Sequence, residues 1–503
     1  MQQLALETLD LAVQRGASYA DVRAAERRTE ELLVKNGQPE RSTLEESAGL
    51  GVRVLADGAW GFAASSDLSG EALAATVDRA LEAARAACAA RFWRPARIQS
   101  EPPVPHASGG LRLLPRSGEV GVFATPVERD PFAVPIEARL ALLIACCEAM
   151  QRRPAVRVAQ AHLSLYREHK WFVSSEGSCL EQTVIETGGG LAATAVGDGG
   201  VFQRRSLNNY AQAGYEFITE LGLPAHAERC AEEATALIAA SPCPPGIRTV
   251  ILGSSMLALQ IHESCGHPVE LDRVLGSEAS FAGTSFMTPD QLGVLNYGSP
   301  LVTITADATL PRGLGTFGWD DEGSPAEWFP VIQEGRFANF LTSRETAWWM
   351  ASHHRGTAPV PPLPFSNGTM RADGWGRLPL IRMTNISLEP RDWALDDLIA
   401  ATDDGLLLDT PKSWSLDDKR LNFHFGAEVA YEIKNGRLGR LLRDASYTDM
   451  TPRFWSSCDA VCSAGHWQLW GLPSCAKGEP VQIAHVAHGA APARFRGVRV
   501  SGS

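Results

Sequence analysis

Lysine is almost missing from this chain of 503 residues: it occurs only at positions 35, 170, 412, 419, 434 and 477, so arginine carries nearly all the positive charge. With 46 Lys plus Arg against 58 Asp plus Glu, the net charge is -12. That balance argues against the clustered cations that neutralise phosphates, and nucleic acid is not an expected partner. Long apolar runs are missing too. The most apolar window, residues 140–150, is preceded by Arg139 and interrupted by Glu148, well short of the roughly 20 residues a membrane-spanning helix needs. At the N-terminus no cationic stretch leads into an apolar run, and Glu7 and Asp10 break the apolar residues there. No signal peptide and no membrane contact are expected, and the expected location is cytoplasmic. Neither a Walker loop nor a Gly-x-Ser-x-Gly elbow occurs, which sets aside the two commonest signatures of phosphate binding and serine hydrolysis. Ten cysteines without a secretory leader read as reduced thiols, mostly small buried hydrophobes, any one of which is free to bind metal.

What is present suffices for two or three globular domains, since 45% of the residues are hydrophobic. Residues 4–15 read as a helix ended by Gly16. Asn36-Gly37, between Glu31 to Lys35 and the stretch after Gln38, and Asp57-Gly58, between Gly51 to Leu55 and Ala59 to Ala63, are two hairpin signals that indicate an antiparallel sheet. The Ala-rich stretch 70–92 has helical spacing and would cover one face of that sheet. Residues 1–100 thus form a first α+β region. A Pro-rich connector at 101–135 holds Pro102, Pro103, Pro105, Pro115, Pro126, Pro131 and Pro135, which deny it regular hydrogen bonding. A middle α+β region at 136–245 follows, with helices near 136–152 and 225–240 around alternating segments. The turn-rich run from Ser241 to Gly246 separates it from a β-rich C-terminal domain, 246–503. The fold class expected is α+β, with N-terminal regions built on antiparallel hairpins and a β-rich C-terminal domain.

That last domain opens with a strand at 248–253 and a helix from Ser255 that contains His262-Glu263-Ser264-Cys265-Gly266-His267. Two imidazoles flanking a carboxylate suit a zinc hydrolase, in which histidines hold the metal and the Glu takes a proton from water. The spacing is one residue longer than the common version. On an ideal α-helix, positions five apart sit about 140° apart, so both rings reach one ion only if the helix widens or ends. Gly266 and Pro268 permit either outcome. Such a pattern arises by chance in roughly two per cent of chains of this composition, and two histidines do not complete a tetrahedral site.

Two other patterns are weaker. Gly313-Leu314-Gly315-Thr316-Phe317-Gly318 fits a dinucleotide fingerprint, but Trp319-Asp320-Asp321-Glu322-Gly323 follows it where a helix is required. Cys458, Cys462 and His466 could form a separate zinc cluster, yet thiols beside Trp455 and Trp467 are more often core.

The block from His262 to Arg273, HESCGHPVELDR, closely resembles the metal motif of the TldD/PmbA family of metalloproteases. Ala282-Gly283-Thr284-Ser285-Phe286, the stretch Gly315 to Gly323, the stretch Arg382 to Leu388 and Pro473-Ser474-Cys475-Ala476-Lys477-Gly478 follow in the order that family has. The resemblance covers nearly the whole chain. It implies a zinc peptidase cutting small or unfolded peptides, in which His262 and His267 bind Zn2+, Glu263 is the general base and Cys475 is the third ligand. It also implies a chambered dimer, homodimer or heterodimer with a related subunit lacking the metal block; Trp348-Trp349 and residues 360–365 are aromatic or Pro-rich segments suited to covering apolar surface between subunits. By residue type alone, the third ligand could be Cys475, Cys265, Cys458, Cys462, His485 or His488. Glu270, Asp272 and Asp320 are weak candidates for orienting the imidazoles. Competing readings are a catalytically silent, metal-stabilised partner and a metal-dependent amidohydrolase of small molecules.

Overall fold

The computed structural model describes residues 1–91, 113–114, 116–353 and 365–502. Helix α1 (Gln2–Gln14) leads into strands β1 (Tyr19–Lys35), β2 (Gln38–Ala56) and β3 (Ala59–Ser65), then helix α2 (Gly70–Arg91). Asn36 and Gly37, and Asp57 and Gly58, all have positive φ, the geometry that two-residue hairpin turns demand and that Asn, Asp and Gly tolerate best. Both hairpins stand where the sequence puts them.

Strand β4 (Val120–Ala124), helix α3 (Ile136–Gln151), strands β5 (Val156–Ser174), β6 (Cys179–Val196) and β7 (Phe202–Ala211) and helices α4 (Glu216–Leu221) and α5 (Leu223–Ala239) follow. The segment read as a connector is not wholly irregular: β4 lies in its Pro-free part, between Pro115 and Pro126, and pairs in parallel with β6. Its remainder at 101–112 falls outside the described residues. The first and middle regions share one seven-stranded sheet, because β1 pairs along its length with β5. Alternate residues of β1 explain its layering. Ala20, Val22, Ala24, Leu32 and Val34 point into apolar clusters under the helices. Asp21 and Arg23, on the other face, meet the C-terminal region through buried charges: Arg23 reaches Asp321, and Arg53 bridges Asp21 and Glu322.

The C-terminal region is mostly sheet. The strand Gly246–Leu252 pairs with Asp404–Leu416 and Ala493–Gly502; Ala445–Met450 and Asn422–Lys434 continue the path, and Asn422–Lys434 pairs back onto Asp404–Leu416, closing five strands into a ring. A six-stranded sheet runs from Arg336–Phe337 to its edge strand Gln468–Lys477. Between the two lies helix Ser254–Ile261, packed on Gln482–Ala490 and Asp404–Leu416. Apolar on most sides, it is buried on most sides, as a helix sandwiched between sheets must be. Trp349, expected at a subunit surface, is instead buried in the C-terminal core with Trp348 packed against that core. Residues 360–364 fall outside the described residues. Among the described residues no helix is long and apolar enough to cross a membrane, and the described cysteines are all free thiols.

Candidate metal centre

Helix Ser254–Ile261 does not end at His262. It widens into one π-helical turn, His262–Gly266, in which the His267 amide donates to the His262 carbonyl five residues back. A short 3-10 turn at His267–Val269 and an extended Glu270 then terminate it. The i→i+5 bond puts His267 on the same side as His262, which an α-helical turn would not do. Gly266 makes this possible, because a Cβ there would lie 2.0 Å from Met383 Sδ.

The two imidazoles stand perpendicular, centroids 4.8 Å apart. Cys475, on the edge strand Gln468–Lys477, completes the group: its Sγ lies 3.6 Å from His262 Nε2 and 3.8 Å from His267 Nε2. All three are buried, with their candidate donor atoms within 4.8 Å of one another. Nitrogen at about 2.05 Å and sulfur at about 2.3 Å from a tetrahedral zinc are separated by about 3.6 Å. The donor set and its spacing fit that ion.

The far side of each ring is held. His488 Nδ1 donates to Ile386 O at 2.9 Å, so the neutral ring presents Nε2 as an acceptor to His262 Nδ1, 2.7 Å away. Burial pushes both rings' pKa values down and keeps them neutral. This chain of bonds leaves the His262 Nε2 lone pair facing Cys475. His267 Nδ1 lies 2.9 Å from Glu270 Oε2, which frees Nε2 in the same way. Glu270 is fully buried, and although burial raises its pKa, Lys477 and His267 bring the net well below the usual carboxylate range. Lys477 also binds Asp272 and the Ile381 carbonyl, both at 2.7 Å. Burial raises the Cys475 thiol too, but His267 and Arg382 more than offset it, and the net is downward. Glu263 follows the same pattern: burial raises it, but its net shift is downward, with the cationic Arg420, whose guanidinium it accepts from, and Arg273 among the causes.

Glu270, a weak candidate by sequence, thus orients His267, whereas Asp272 acts one step back through Lys477. Asp320 is elsewhere: its carboxylate accepts from the Glu322, Ser324 and Met370 amides. His488 lies behind His262, and His485 faces away, bonded to Glu186. Cys265 is fully buried and not grouped with the two histidines, and burial raises its thiol. Cys458 and Cys462 are core thiols, pushed up by burial to about 12 and about 11, and among the described residues they form no metal-type group with His466. The Gly313 to Gly318 stretch is packed rather than open; a Cβ on Gly315 would meet the Thr384 backbone, and Asn385 accepts from the Gly315 amide. Arg420 had no sequence signal. A cavity of about 660 Å³ opens on these groups, walled by Leu259, Trp414, Trp470 and Leu472, and by Ser206, Asn208 and Tyr210 of β7.

Three models of one family match most of the chain. Residues 245–502 match the PmbA/TldA metallopeptidase C-terminal domain, residues 20–84 its domain 1 and residues 129–241 its central domain. A metalloprotease of Methanocaldococcus jannaschii is 27% identical over 468 residues, 91% of this chain and 92% of that protein. A protein of Saccharolobus solfataricus named zinc metalloprotease TldD homolog is 23% identical over 207 residues, 40% of this chain and 41% of that one. The crystal structure of TldE from Thermococcus kodakarensis superposes with a TM-score of 0.71 at 16% identity, covering 99% of this chain and all of that one, and so shares the fold.

Proposed function

The chain belongs to the PmbA/TldD metallopeptidase family, and from that premise we propose that it is a zinc-dependent peptidase acting on small or unfolded peptides. His262, His267 and Cys475 hold the metal, and Glu263 is the general base. The convergence of two tautomer-fixed imidazoles and a thiol beside a buried carboxylate carries this reading. Zinc bound there supplies Lewis-acid polarisation of a carbonyl and a water more acidic than bulk.

The chain's own groups do the rest. Glu263, kept ionised by its cationic neighbours, accepts the proton of the attacking water and delivers it to the leaving amine. Trp414, Trp470, Leu259 and Leu472 give apolar walls for peptide side chains, and a cavity of about 660 Å³ admits a few residues of extended chain but no folded domain. Assembly as a dimer, with itself or with a related chain, is part of the same proposal.

Metal content, and peptide turnover before and after chelation, test the proposal, with simple amides as the competing substrate class. Glu263→Gln is expected to keep zinc and fold while losing about 10²- to 10⁴-fold in turnover. Turnover above a few per cent of wild type in metal-replete Glu263→Gln would overturn the general-base role, and hydrolysis confined to simple amides would overturn the peptidase reading.

A further inference from the structure

Among the described residues Arg420 is the one cation hydrogen-bonded to Glu263, and it lines the same cavity as His262, His267 and Cys475. It sits in the turn between Asp404–Leu416 and Asn422–Lys434 at φ +63, a left-handed conformation that is unfavourable for a residue with a Cβ. The turn is clamped at successive residues so that this conformation persists. Thr284 and Phe286 amides donate to the Asp418 and Lys419 carbonyls, the Thr451 hydroxyl donates to the Arg420 carbonyl, and the Asp417 carboxylate accepts from the Leu421 amide. Gly283 lies so close that a Cβ would stand 2.2 Å from Asp418 O. Strain held this firmly at a reactive site marks a side chain that must point one way. Among the described residues the guanidinium has one recorded hydrogen-bond partner, Glu263, made through Nη1. Its Nε and Nη2 donors are left for the partly open cavity, where the side chain is 18% exposed.

Resting on the peptidase reading, we propose that Arg420 is a catalytic residue that donates to the substrate's carbonyl oxygen as negative charge develops there. Water oxygen bonds to the carbonyl carbon, the C=O π pair moves onto oxygen beside the guanidinium, and Glu263 takes the water proton. The pair returns as the C–N bond breaks, and the proton leaves with the amine. One fork of Arg420 steadies Glu263 while the other meets the oxyanion, a division that a planar guanidinium allows and an ammonium does not.

The test uses full-length, zinc-loaded wild type, Arg420→Asn and Arg420→Lys, because Asn tolerates positive φ. Zinc content, Tm, kcat and KM on peptides with free and amidated C-termini, and affinity for a phosphinic dipeptide isostere are measured. Arg420→Asn is expected to keep zinc and Tm and to lose about 10²- to 10³-fold in kcat on both peptides, with KM nearly unchanged. Phosphinate affinity should fall at least tenfold, with partial recovery in Arg420→Lys. Unchanged phosphinate affinity would mean that Arg420 acts only through Glu263 and would overturn the proposal. So would a KM rise confined to free carboxylates, which marks an anchor for the peptide terminus, or loss of zinc in both variants. If wild type cleaves no peptide, the peptidase reading fails, yet phosphinate binding still decides Arg420: equal or absent binding in wild type and variants overturns its role.

Discussion

Gly266→Ala sets two effects against each other at the candidate metal centre. Alanine is favoured over glycine within a helix by about 1 kcal/mol, and Gly266 has ordinary helical dihedrals, φ -58 and ψ -59, so backbone propensity alone predicts stabilisation. The new Cβ, however, would stand 2.0 Å from Met383 Sδ, with Cγ and Cε at 3.2 and 3.3 Å. Met383 is fully buried, so it has no solvent to swing into. Overpacking of this kind costs about 1–3 kcal/mol, and relief by backbone shift would move His267, the next residue. The clash should win: Gly266→Ala is expected to lower the Tm of metal-free protein and to weaken zinc by tenfold or more, the equivalent of about 1.4 kcal/mol. Met383→Ala alone should cost about 2–5 kcal/mol through the cavity it leaves, but combined with Gly266→Ala the losses should fall short of their sum by about 1 kcal/mol or more. Thermal unfolding without metal and competitive zinc titration measure both quantities in all four proteins. Additive losses in the double variant, or a Gly266→Ala protein that melts higher and binds zinc like wild type, would refute the reasoning.

Glu270→Gln is expected to weaken zinc by about 10- to 100-fold without abolishing it, because an amide oxygen still accepts from His267 but no longer balances Lys477; unchanged affinity in a chelator competition would refute that role. Stability should fall on acidification through Asp321. Burial alone would raise this carboxyl, but Lys170 and Arg23 more than offset it and hold it at about 2. A depressed folded-state pKa contributes stability above the unfolded value near 4, lost as pH falls from about 4 to 2. The contribution is on the order of 2 kcal/mol, so Asp321→Asn should flatten the acid limb of the Tm profile there, and an unaltered limb would exclude the linkage.

Local patterns read well in this sequence wherever the structure is local. The Asn36-Gly37 and Asp57-Gly58 turns need positive φ, and few residue types supply it, so both hairpins were legible. The helix at 70–91 follows from apolar spacing. The requirement that the helix widen or end after His262 was legible from the five-residue spacing, though the choice of a π turn was not, since it depends on Met383 pressing against Gly266. Partners distant in sequence were illegible for the same reason that β1 and β5 were assigned to different regions. Nothing near Arg23 specifies that it stands opposite Phe172. Likewise nothing near His488 specifies that its ring will back His262 rather than bind beside it, and Glu270 reads as a surface carboxylate until Lys477 arrives from 207 residues downstream to bury it.

The division of labour across the cavity follows from where each wall originates. His262, His267, Cys475, His488, Glu270, Lys477 and Arg420 all come from the C-terminal region, carried on the buried helix, two neighbouring strands and one clamped turn. Among the described residues the N-terminal sheet makes none of the hydrogen bonds that orient His262 and His267, yet β7 supplies Ser206, Asn208 and Tyr210 to the cavity wall. Tyr210, with Pro473 and Ser474, also borders a second cavity of about 510 Å³ that Arg27, Arg41 and His162 line from the sheet side. A change in β7 is therefore expected to alter what the cavity admits without touching the candidate metal-binding group, whereas a change around Glu270 or His488 should do the reverse. On the proposed reading, substrate preference and metal affinity are separable, because the cavity wall comes partly from β7 of the N-terminal sheet and the candidate donor atoms from the C-terminal region.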